Sequence, residues 1–245
     1  MFTRLLVGLD GSARADQALE QALLLGRRFG AAIVAAHVRA AAGPPGADVL
    51  ERARRRIQAA GLRSEIVERR GDAEVELAAL AGDADACLVG RVGRGGAGDL
   101  GPTVAALIRI AERCVIVCGQ HPSPMESCAL AFDGGDTSKR ALDLVARFAS
   151  IVEGTVHVIH ANASREAGLH VVGEAEAELS RRRVAFVTHV EPGTPGEACK
   201  VVVARTACDA LFVGAHVPRG RDSGATAGNA AEILRHTDIP VVVQP

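Results

Sequence analysis

The chain has no tryptophan and no tyrosine, and its 245 residues include only six phenylalanines and two methionines. A core built on large aromatic rings is therefore excluded. With 48% apolar residues, the interior must be Val, Leu, Ile and Ala, which suits helices packed on buried strands. Net charge is also scarce: the formal total is −1, which argues against nucleic acid or an anionic membrane as a main partner. No apolar run reaches the length of a membrane span. The opening "MFTRLLVGLD" has no signal-peptide layout and predicts a soluble, cytoplasmic protein. Zinc-finger and thioredoxin cysteine spacings are missing too. Cys87, Cys114, Cys118, Cys128, Cys199 and Cys208 are expected as buried thiols in a reducing compartment. There is no Walker A lysine motif. The arginine clusters "RARRR" (52–56) and "RRR" (181–183) each close a helical pattern, where cations suit the helix dipole.

What the chain does have is a repeat. "LLVGLDGS" (5–12) returns as "LAFDGGDTS" (130–138), with Asp10 matching Asp133, and "AAIVAAHV" (31–38) returns as "GTVHVIHA" (154–161), with His37 matching His160. "DACLVG" (85–90) matches "DALFVG" (209–214), and "CVIVC" (114–118) matches "PVVVQ" (240–244). The near-constant offset predicts two copies of one domain, residues 1–122 and 127–245, separated by the polar, Pro-bearing "GQHPSPMES". Within the first copy, strands are expected near 4–10, 31–38, 63–69, 85–90 and 114–118, with helices between them. Ser12 is placed to cap the first helix, and Arg-Arg-Phe-Gly to end it. Short apolar runs alternating with helices imply parallel strands joined by right-handed crossovers. Each copy should then be a five-stranded, parallel, doubly wound α/β domain.

One stretch is unusually rich in glycine. "GRVGRGGAGDLGPT" (90–103) holds six glycines between a strand and a helix. Glycine there costs conformational entropy, so close backbone approach or positive φ should require it.

The motifs "VGLDGS" (7–12), "HV" (37–38) with its repeat "HA" (160–161), "GTPGEA" (193–198) and "VGRVG" (89–93), in that order and duplicated, resemble the universal stress protein family over nearly the whole chain. The resemblance implies a Rossmann-like, adenine nucleotide alpha hydrolase-like fold. Its first and fourth strands would lie side by side where the winding reverses, with a ligand cleft at their carboxyl ends. It further implies ATP or another adenine nucleotide as ligand, with magnesium as an optional companion. Asp10 would sit at the nucleoside end, and a Gly-x-x-Gly-x(9)-Gly-[Ser/Thr] loop would hold the phosphates.

Carried onto this sequence, the site comprises Asp10, Gly11, Ser12, His37, Val38, Gly90, Arg91, Gly93, Arg94, Gly101 and Thr103. The loop is two residues shorter than the family pattern. Pro102 stands at the Ser/Thr position and lacks an N–H, leaving Thr103 to supply a hydroxyl. In the second copy the corresponding residues are Asp133, Gly214, Gly228 and Asn229, but Val217 replaces the second glycine. A β-branched residue suits positive φ poorly, so this copy is expected to bind nucleotide weakly or not at all. No catalytic or metal-binding residue is assigned.

Three functions remain open at this point. The leading one is a stress-response protein that binds ATP, mainly in its first domain, without efficient turnover. The second is a tandem scaffold with a degenerate site, recruiting protein partners of unknown identity. The third is an enzyme of the ATP-pyrophosphatase type, suggested by "DGGDTS" (133–138), though duplication explains that segment better. The two domains are expected to pack as an intrachain pseudo-dimer through their last strands, hiding two sheet edges. Association of two chains is left open.

Overall fold

The computed structural model describes residues 1–40, 46–93, 100–215 and 228–245. The chain divides into two compact units, Met1–Pro124 and Met125–Pro245. In the first unit β1 (Arg4–Gly8), β2 (Ala32–Arg39), β3 (Ser64–Arg70), β4 (Ala86–Gly90) and β5 (Cys114–Cys118) alternate with α1 (Ala13–Phe29), α2 (Ala47–Ala59), α3 (Ala73–Ala81) and α4 (Pro102–Ile110). The strands are parallel in the order β3-β2-β1-β4-β5. Strand order therefore reverses between β1 and β4, where Leu5 pairs with Ala86 and Val7 with Leu88.

The second unit repeats this plan. β6 (Ser127–Ala131), β7 (Thr155–Ala161), β8 (Ala185–Glu191), β9 (Ala210–Gly214) and β10 (Val241–Gln244) alternate with α5 (Asp136–Val152), α6 (Arg165–Arg181), α7 (Pro195–Thr206) and α8 (Gly228–His236). Its order is β8-β7-β6-β9-β10, again all parallel. Both units are thus doubly wound α/β folds.

Local sequence explains the element ends. Ser12 caps α1, its hydroxyl accepting from the Ala15 N–H, and Gly30 closes the helix in the left-handed region at φ 69°. α7 opens with a capping box: Thr194 takes the Glu197 N–H while Glu197 takes the Thr194 N–H, with Pro195 at the first helical position. The central strands are covered on both faces, so Leu5, Leu6, Val7, Cys87, Leu88, Ile116 and Val117 are all buried. Four of the six phenylalanines meet in pairs. Phe2 meets Phe29 edge-on at 5.3 Å, and Phe148 meets Phe212 at 5.6 Å. Of the clustered arginines, Arg56 bridges α2 to α1 through Asp16 and Glu20, and Arg182 reaches Asp143 on α5. These are inter-helix ties as well as helix-end cations. All six cysteines are free and buried.

Candidate functional site

At the carboxyl ends of β1 and β4 the first unit opens a cleft of about 540 Å³, measured out to its mouth. Its walls are apolar: Ala36 and Val38 from β2, Leu77 from α3, Val89 from β4 and Val92 just after it. Asp10 and Ser12 form one lip, and Gly90, Gly93, Thr103 and Val104 the other. Thr103 and Val104 belong to the first turn of α4, where backbone N–H groups lack helical partners and the dipole favours an anion.

Each lip has a local cause. β1 ends in a turn that needs Gly11 at φ 79°. There the Asp10 Oδ1 accepts the Ser12 N–H at 2.9 Å, and Ser12 in turn caps α1. On the other side, a Cβ at Gly90 would stand 2.7–2.8 Å from the backbone of Arg14, so packing of β4 on α1 alone demands a glycine there. A Cβ at Gly93 would stand 2.8 Å from Asp10 Oδ2, so the absent side chain lets the two lips approach.

The other sequence-selected residues lie nearby but play different parts. Gly101 caps α4, and its N–H donates to the Arg91 carbonyl at 2.9 Å. That N–H is therefore taken up by a main-chain acceptor. Arg91 and Gly11 are not among the lining residues. His37 does not line the cleft either. Its Nδ1 lies 2.6 Å from the Leu9 carbonyl, and since a carbonyl only accepts, Nδ1 carries the proton. Arg94 lies outside the described residues, as does Val217. Leu77 and Ala36 complete the apolar wall and were not selected. The i, i+4 spacing of Ala73 and Leu77 on α3 was the available signal.

The second unit forms a cleft of about 470 Å³ in the matching place. Asp133, Gly214 and Asn229 line it, with Thr137, Ser138, His160 and Cys199. Asp133 Oδ1 accepts the Gly135 N–H at 2.9 Å, and Gly134 has φ 79°, reproducing the first unit's turn. A Cβ at Gly214 would stand 2.4 Å from the Thr137 backbone, as at Gly90. Gly228 opens α8. This cleft is the more polar at its base, since His160 lines it and Cys199 replaces the leucine of α3.

Burial pushes the thiols of Cys87, Cys114 and Cys199 up to about 12, so all three remain protonated. Among the described residues no three His, Cys, Asp or Glu side chains converge as a metal would require. No helix among them is long and apolar enough to cross a membrane.

A doubly wound α/β unit with a cleft at its strand-order reversal, present twice in one chain, defines the class of this protein. The sequence model of the universal stress protein family matches residues 1–119. The first unit is therefore a universal stress protein domain, and the second repeats its fold. No curated protein matches the chain in sequence. Among solved structures, a universal stress protein from Archaeoglobus fulgidus superposes with a TM-score of 0.83 at 18% identity, over 98% of this chain and 97% of its own. A functionally unknown protein from Pseudomonas aeruginosa superposes at 0.74 with 16% identity, over 99% and 92% of the two chains. At these identities the likeness is one of fold.

Proposed function

We propose that the first unit holds an adenine nucleotide, ATP or a close relative, in the cleft at the β1/β4 reversal, and that it binds without efficient turnover. The carrying observation is how the lining is divided. Apolar walls at Val38, Leu77 and Val89 suit a flat base. The Asp10 carboxylate suits hydroxyl or amino donors of a nucleoside. The first turn of α4, with the Thr103 hydroxyl, suits an anionic tail. Among the described lining residues Asp10 is the one ionisable group, and no Lys, Arg or His joins it. Backbone amides can then hold phosphates, and among the described lining residues no side-chain cation joins Asp10 to assist phosphoryl transfer. Magnesium accompanying a triphosphate would be held by the phosphates.

The second cleft is proposed as the weaker site. Gly135 stands where Ser12 does, Asn229 where Thr103 does, and its base carries His160 and Cys199. Equilibrium dialysis against labelled ATP tests the reading. A micromolar-range site that Asp10→Asn weakens and Thr103→Val weakens, with no phosphate released over hours, is the expected result. Failure to retain ATP above the control compartment removes the reading.

A further inference from the structure

His37 takes no part in the nucleotide reading of the first cleft, yet both units build the same structure around their matching histidines, His37 and His160. In the first unit, regular pairing of β1 with β2 ends at Gly8 opposite Ala36. Leu9 is then held twice: its N–H donates to the Ala36 carbonyl at 2.8 Å, and its own carbonyl accepts from His37 Nδ1 at 2.6 Å. In the second unit the Phe132 N–H donates to the Ile159 carbonyl at 2.9 Å, and its carbonyl accepts from His160 Nδ1 at 2.8 Å. Two consecutive residues of one strand thus clamp the last residue before the cleft aspartate. The imidazole supplies one more rung where strand pairing has stopped.

Each ring is also covered by a glycine at the start of the following helix. A Cβ at Gly46 would stand 2.1 Å from His37 Cδ2, and one at Gly168 would stand 3.3 Å from His160 Cδ2. Gly46 is itself held by its N–H to Glu68 on β3, at 2.9 Å. The ring therefore has little room to turn, and its donor direction is fixed.

We propose that His37 is a positioning residue of the first cleft: by clamping the Leu9 carbonyl it sets the angle at which the chain leaves β1, and so where the Asp10 carboxylate points. His160 does the same for Asp133. A peptide plane shares its orientation between neighbours, because the peptide bond is planar. Fixing the Leu9 carbonyl fixes the Asp10 N–H with it, leaving the Asp10 side chain to be set by the Ser12 N–H. The consequence for ligand affinity rests on the nucleotide reading above; the consequence for the Asp10 turn does not.

The test uses the full chain and three forms: wild type, His37→Phe and His37→Asn. Phenylalanine keeps a ring but has no donor. Asparagine places an amide nitrogen the same number of bonds from Cα as Nδ1. Amide hydrogen exchange at Ser12 reports the Asp10 turn, and exchange at Gly135 reports the untouched turn of the second unit. In His37→Phe, Ser12 exchange is expected to accelerate about tenfold, the size of one net hydrogen bond. Gly135 should stay unchanged, and His37→Asn should restore Ser12 protection. ATP affinity should fall by about the same factor in His37→Phe and recover in His37→Asn. Unchanged Ser12 exchange overturns the inference, as does acceleration spread evenly over all amides of the unit, which marks general destabilisation. If the wild type binds no ATP, the nucleotide reading fails while the Ser12 result still decides the clamp.

Discussion

Gly90 and Gly214 do two things at once. Each lines its cleft, and each lets a strand pass within contact of a helix backbone, that of Arg14 or Thr137. A methyl group at either would meet backbone, which cannot swing aside as a long side chain can. Gly90→Ala is therefore expected to destabilise the first unit by about 1–3 kcal/mol, seen as a lower thermal midpoint before any ligand is added. The sequence singles out Gly90 for the loop it opens, but not for this packing. The helix it touches lies some seventy-five positions earlier, and only the folded sheet brings them together. His37 is similar: its acceptor is a main-chain carbonyl on another strand, and no side-chain pattern marks it. The thiols were easier to read, because an apolar strand run implies burial directly. Cys87, Cys114 and Cys199 are expected to resist Ellman's reagent at pH 8 in the native protein and to react once it is unfolded.

At the scale of elements, the strands and helices follow from punctuation that a single sequence displays: Ser12 before α1, Gly61 after α2, Thr194-Pro195 before α7. The repeat also allows a comparison within the chain. α1 ends on Gly30 in the left-handed region, whereas the matching helix α5 ends on Glu153 at φ 55°. A side chain there is strained, so Glu153→Gly is expected to stabilise the second unit by about 0.5–1 kcal/mol. Ser12→Ala should cost the first unit about 1 kcal/mol by leaving the Ala15 N–H without its cap. Denaturant titration of the two variants against wild type measures both. Of the glycine-rich stretch that the sequence singles out, Gly90, Gly93 and Thr103 line the cleft. The Gly101 N–H donates to the Arg91 carbonyl, a main-chain partner that no side-chain pattern in the sequence marks.

For the whole molecule, two groups of shifted residues predict how stability varies with pH. The buried thiols sit at about 12 in the fold against an ordinary value near 9. As pH rises past 9 the unfolded chain loses those protons and the native chain keeps them, so stability present below 9 is lost progressively up to about 12. At the acid side, burial lowers His157, and burial together with the facing His157 and Arg205 lowers His189. The rings lie 3.0 Å apart at Nδ1 and Nε2, and Arg205 donates to the other nitrogen of His189 at 3.1 Å. The unfolded chain takes up protons first as pH falls below 6.5, so stability present above 6.5 is lost below it. A plateau between about 6.5 and 9, falling on both sides, is the expected profile of denaturation midpoints.

On the proposed reading, the cleft at the reversal between β1 and β4 is the tight adenine-nucleotide site of the chain. Native mass spectrometry during an ATP titration counts this directly, because each bound nucleotide adds its own mass to an intact chain. The expected result is a single adduct that saturates in the micromolar range and disappears in Gly93→Val, whose side chain would collide with Asp10. A chain that stays bare throughout, or that binds as well with valine at position 93, would contradict it.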